Sequence, residues 1–93
     1  MNLRQEAKGR DCQIRSPKCN RNPETTVACH IHKPSISGGM SKKADDMLTA
    51  HGCSDCHDWV DGRGNMIDRL TRDSYLYEGI FRTILILRKE GKL

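Results

Sequence analysis

Four cysteines constrain this chain more than any other feature: Cys12, Cys19 and the tight pair in Cys53-Ser54-Asp55-Cys56-His57. Two thiols separated by two residues can turn back on one ion, and the earlier pair can complete a tetrahedron. A closed four-thiolate zinc site is structural, because it leaves no open position for water. The chain needs such a staple. It has 93 residues, 35% of them hydrophobic, with one Trp (Trp59), one Phe (Phe81) and two Tyr (Tyr75, Tyr77) to build a core. Free thiols or one disulfide are the alternatives. Cys53-x-x-Cys56 also fits a redox pair, although the strand–turn–helix pattern of a thioredoxin-like fold is absent upstream.

Length allows one domain, residues 1–93. Five cysteines, an odd number, argue against a complete disulfide framework. The stretch Met1-Asn2-Leu3-Arg4-Gln5-Glu6 has no apolar run of a signal peptide, and nothing approaches the ~20 apolar residues of a membrane span. A reducing cytoplasm, where thiols bind metal more than they pair, is the expected location. The formal charge is +4 and unevenly spread. Arg4, Lys8, Arg10, Arg15, Lys18 and Arg21 face only Glu6 and Asp11, and Arg82, Arg88, Lys89 and Lys92 form a second group. Such an excess suits a phosphate backbone and also suits an ordinary charged surface.

The pattern predicts a short helix over residues 2–8, capped by Asn2 and stopped by Gly9. Residues 11–21 read as an extended piece turning at Ser16-Pro17, which brings Cys12 and Cys19 together. Residues 25–32, β-branched at four of eight positions, read as a strand. Alternation puts Thr26, Ala28, His30 and His32 on one face, and Thr25, Val27, Cys29 and Ile31 on the other, with Cys29 as a small buried hydrophobe. Residues 33–43, with Pro34 and Gly38-Gly39, form a basic loop carrying Lys33, Lys42 and Lys43. A short helix is expected over 44–51, ending at Gly52. Another starts near Asp55 and ends at Gly62-Arg63-Gly64, with Trp59 packed over the zinc site. The longest helix is placed at 73–90, on the repeat Leu76, Ile80, Ile84, Leu87, with Asp73 or Thr71 as cap and Gly91 as stop. His32 and His51 read as surface residues.

The order of thiol pair, histidine-ended strand, Gly-Gly loop and Cys-x-x-Cys-His helix resembles the HNH (ββα-metal) endonuclease pattern. More closely, Gly9-Arg10-Asp11-Cys12-Gln13, Asn22-Pro23-Glu24-Thr25-Thr26-Val27 and Cys53-Ser54-Asp55-Cys56-His57-Asp58 resemble the YbcO-like family of small prophage-encoded nucleases. The resemblance implies an α+β fold: a small zinc-stapled ββα-metal (HNH-like) domain with a C-terminal helix. It makes His30 the general base and His57 a ligand of a catalytic divalent cation (Mg, Mn or Zn). Asp61, four residues on, presents its side chain on the same helix face. Asp46 falls roughly where the family's Asn orients the base, and Cys29 replaces a residue that is often a metal ligand in HNH enzymes. The substitutions leave room for an activity that is slow, zinc-dependent or lost.

The expected function is therefore metal-dependent hydrolysis of phosphodiester bonds, with DNA as the expected substrate and Arg10, Arg15, Lys33, Lys42 and Lys43 along its backbone. The alternative is a non-catalytic, zinc-stabilised module of phage origin that binds nucleic acid or protein. The apolar C-terminal helix, wide for so small a core, could also pair with a second copy.

Overall fold

A computed structural model describes residues 2–31 and 46–93. It is an α+β arrangement in which two short antiparallel strands pack beneath a long C-terminal helix. Strand β1 is Val27–His30 and β2 is Thr49–Gly52, paired Val27 with Gly52, Ala28 with His51, Cys29 with Ala50 and His30 with Thr49. Helix α1, Ser54–Val60, follows β2 directly, and α2 spans Arg69–Lys89.

The β2 assignment overturns the helix expected over 44–51. Thr49-Ala50-His51-Gly52 is buried along its whole length, and its backbone groups are satisfied on both edges. On one side it pairs with β1. On the other, the His51 N–H donates to Thr83 Oγ1 at 2.9 Å and the His51 carbonyl accepts from the Gln13 N–H at 2.6 Å. A strand needs such partners, whereas an eight-residue helix would have been marginal. His51, expected at the surface, is 1% exposed as a result.

Helix α2 lies close on β2 because Gly79 offers no Cβ. One built there would stand 3.0 Å from the Ala50 Cβ and 3.1 Å from Ile14. Leu76, Ile80 and Leu87 enter the core as the helical repeat predicts, and Thr83 joins them. Phe81 and Leu85 instead stay 64% and 55% exposed. The helix starts four residues earlier than expected. Asp68 is its cap, accepting the Thr71 N–H at 3.0 Å, and neither Thr71 nor Asp73 takes that role. Gly91 ends it at φ 76°, with the Lys92 N–H returning to the Leu87 carbonyl at 2.9 Å.

Two further expectations shrink. The helix over 2–8 is a single 3-10 turn, Gln5–Ala7, because Leu3 and Ala7 alone cannot hold a longer one against the sheet. The strand over 25–32 shortens to four residues, since Pro23–Thr25 coils into another 3-10 turn capped by Asn22. On its apolar face Cys29 and Ile31 are buried, but Val27, at the end of the pairing, is exposed. His32, Lys33, Lys42 and Lys43, with the Gly38-Gly39 loop, lie outside the described residues.

Trp59 packs edge-on against Tyr75, ring centroids 5.0 Å apart, in the cluster that includes Cys53 and Cys56. Arg72 locks α1 against α2 by donating to the Val60 carbonyl at 3.0 Å. The chain ends are tied as well, with Arg10 gripping Glu90 and Lys92 meeting Glu6. No described helix is long and apolar enough to cross a membrane.

Candidate metal centre and catalytic pair

Cys12, Cys19, Cys53 and Cys56 converge, with every sulfur within 4.8 Å of the others. Tetrahedral Zn–S bonds of about 2.3 Å place sulfurs roughly 3.8 Å apart. The Cys53–Cys19 separation of 3.9 Å agrees with that spacing. The set fits a structural metal. The backbone around it is already turned inward: the Cys56 N–H donates to Cys53 Sγ at 3.4 Å, so this sulfur also caps α1, and the Asn20 N–H reaches the same sulfur at 3.5 Å. Ser16 Oγ lies 3.1 Å from Cys56 Sγ.

Four adjacent thiols cannot all ionise without a cation. A hydrogen bond from the Cys56 thiol holds Cys12 down to about 4, and the same Cys12 contact, followed by burial, pushes Cys56 up. Burial also raises Cys19. A divalent ion resolves the conflict by stabilising the thiolates together.

Cys29 stands apart. It is 1% exposed, packed toward Ile14 and Gly52, and burial pushes its thiol up to about 12. It is a small core hydrophobe, as its place on the apolar face of the strand predicts.

At the end of β1, His30 Nε2 lies 2.8 Å from Asp46 Oδ1. Its side chain is 16% exposed, and Arg4 approaches the other carboxylate oxygen at 3.6 Å. On α1, His57 Nε2 and Asp61 Oδ2 are 3.5 Å apart, one turn separating them on a common face. Helix α1 packs against β1, and the Asp61 carboxylate is near enough to help raise Cys29, the neighbour of His30. Among the described residues the four cysteines are the only group of three or more potential ligands that converges. His57 and Asp61 are a pair of potential donors, and no third potential ligand converges on them among the described residues.

The expected nucleic-acid contacts divide. Arg15 is exposed beside the metal lobe. Arg10 is held within the fold, its guanidinium donating to both Glu90 oxygens at 2.7 and 2.6 Å and to the Glu6 carbonyl. The residue that sequence reasoning missed is His51, buried with neither ring nitrogen hydrogen-bonded. Its only signal was alternation across Thr49 and His51, too short to weigh against a helix.

The family model described as "Putative nuclease YbcO" matches residues 1–92. The chain is 41% identical over 90 residues to "Putative nuclease YbcO" of Escherichia coli (strain K12), covering 96% of this chain and 93% of that protein. The match to "Putative nuclease ybcO" of Enterobacteria phage 82 has the same identity and coverage. Among solved structures, "Structure of a putative bacteriophage protein from Escherichia coli str. K-12 substr. MG1655" superposes with a TM-score of 0.79 at 40% identity, over 97% of this chain and 100% of that one.

Proposed function

The chain belongs to the YbcO family, and from that membership we propose that it is a metal-dependent endonuclease of the HNH (ββα-metal) type, acting on DNA. The observation that carries the reading is the 2.8 Å contact between His30 and Asp46, set at the end of a strand in a strand–strand–helix order. With Nε2 donating to the carboxylate, Nδ1 keeps its lone pair and takes a proton from an attacking water. Asp46 fixes the ring and stabilises its charge once protonated. His57 and Asp61 would hold a divalent cation, Mg, Mn or Zn, whose chemistry is to offset charge on the scissile phosphate and the leaving oxygen. Zinc in the cysteine set is structural. It ties the N-terminal lobe to the start of α1 and so fixes where His57 stands.

Lys33, Lys42 and Lys43 would follow the DNA backbone with Arg15, while Arg10 serves the fold through Glu90. The exposed stripe of Leu70, Phe81 and Leu85 on α2 supports pairing with a second copy, which Phe81→Lys tests by sedimentation equilibrium. Plasmid nicking with Mg²⁺, Mn²⁺ or Zn²⁺ tests the catalytic reading. Cleavage by the wild type and none by a folded His30→Ala variant supports it. Binding without cleavage by either protein supports the non-catalytic module instead.

A further inference from the structure

Among the described residues, the non-glycine positions with left-handed backbone are both arginines, Arg15 and Arg21, each at φ 57°. Arg15 follows Cys12 by three positions and Arg21 follows Cys19 by two, and each backbone N–H is directed at the sulfur of its cysteine. Closure of the metal lobe thus sets the turn at both places. Glycine takes that conformation freely, whereas a side chain with a Cβ is strained there. Glycine is what the backbone asks for, yet the chain carries arginine twice.

The two side chains share a destination. Both line one cavity of about 400 Å³, whose wall also includes Asp11, Cys12, Ser16 and Cys19. Both are exposed, and neither is ion-paired among the described residues; Arg15 reaches only Gln13 Oε1, at 3.3 Å. Other arginines are committed to carboxylates: Arg10 to Glu90, Arg63 to Asp58, Arg69 to Asp73 and Arg82 to Glu78. Neither His30 nor His57 lines the cavity, so it is separate from the proposed catalytic residues.

We propose that this cavity seats a backbone phosphate of the nucleic acid, gripped between the guanidiniums of Arg15 and Arg21. Planar forks of donors suit a phosphodiester's two free oxygens. The seat lies on the N-terminal lobe that the four sulfurs join to α1. A strand held there is in fixed register with the helix that carries His57 and Asp61. The inference rests on the nuclease reading for the identity of the polymer. A rival role for the same arginines is to offset the negative charge of a tetrathiolate metal centre.

The test compares the zinc-loaded wild type with Arg15→Gly/Arg21→Gly and Arg15→Lys/Arg21→Lys. Fluorescence anisotropy with a labelled 20-base-pair DNA duplex, without added Mg²⁺ or Mn²⁺, is titrated across KCl concentrations. The glycine variant should keep its zinc and melt at or above the wild-type midpoint, since strain is removed. Its Kd should weaken at least tenfold, with the log–log salt slope shallower by roughly 0.9 for the one phosphate no longer neutralised. The lysine variant, which keeps the charge, should recover most of the slope. Unchanged affinity and slope in the glycine variant overturn the proposal, and so does zinc loss with unchanged binding, which assigns the arginines to the metal. Parallel nicking separates this from the parent reading. A wild type that cleaves while the glycine variant binds normally removes only the phosphate seat; weakened binding by that variant with no wild-type cleavage removes only the nuclease.

Discussion

Asp46 Oδ1 sits 2.8 Å from His30 Nε2, joining the end of β1 to the residue that leads back toward β2. The carboxylate accepts, so the ring proton belongs on Nε2, and in the proposed mechanism Nδ1 serves as the base. His30→Ala should lower plasmid nicking by about 10²–10⁴-fold, the usual worth of a positioned base. Asp46→Ala should cost about 10–100-fold, the range for groups that orient a working imidazole. Asp46→Asn, which can still accept from Nε2, should lose less. Thermal melts in parallel show whether each variant stays folded, and equal rates for wild type and a folded His30→Ala would dismiss His30 as the base.

The sulfur cluster makes a separate prediction, because it concerns the fold and not the reaction. Cys53 is fully buried, caps α1 and receives two backbone N–H groups. In small metal-stapled domains, binding is folding free energy, on the order of 10–16 kcal/mol in zinc-finger peptides. Cys53→Ser should lose the metal and the far-ultraviolet signal of α1 and α2 together, and a strong chelator should do the same to the wild type. Elemental analysis should find one zinc per chain.

How much of this was legible depended on whether a local rule or a distant partner decides each residue. The cysteine quartet could be read because ligand spacing is local for Cys53 and Cys56, and the metal demands the other two. The core stripe of Leu76, Ile80 and Leu87 was equally plain from its period. β2 was not, because Thr49-Ala50-His51-Gly52 has no preference strong enough to choose; its pairing with β1 and its contact with Thr83 choose for it. The first turn of α2 was missed because Leu70 points to solvent, so the apolar period begins only after the helix has started. His30 and Asp46 could be linked only through family order, since sixteen positions separate them. The left-handed arginines carry no sequence signal, because any residue can be written where only the backbone asks for glycine.

His51 is a liability that substitution should relieve. Its ring is buried with both nitrogens lacking hydrogen bonds, in a pocket closed by α2 and the N-terminal segment. An unsatisfied buried polar group costs about 1–3 kcal/mol, whereas an apolar side chain of similar volume avoids that penalty. The backbone bonds of residue 51 to Thr83 and Gln13 do not depend on the side chain. His51→Leu should therefore raise unfolding free energy by about 1 kcal/mol in urea titrations of the zinc-loaded protein. A loss of stability instead would mean that the imidazole has a partner in solution.

The tie between the chain ends should announce itself in acid. Glu90 is pulled down from 4.5 to about 2, first by its hydrogen bonds from Arg10 and then by Lys92, so in the folded protein it holds its charge where the unfolded chain would not. A carboxyl lowered on folding stabilises the native state fully above its unfolded value and loses that effect as pH falls through the folded one. Glu90→Gln keeps the shape and removes the charge. Its melting midpoint should lie below the wild type's by a constant margin from pH 7 to about 5, and the margin should close between pH 4.5 and about 2. Because the pair is exposed to solvent, the margin should also shrink in 1 M salt. Acid release of the metal acts on both proteins, so the difference between paired melts isolates the ion pair. A margin independent of pH would assign the effect of Glu90 to packing and not to its charge.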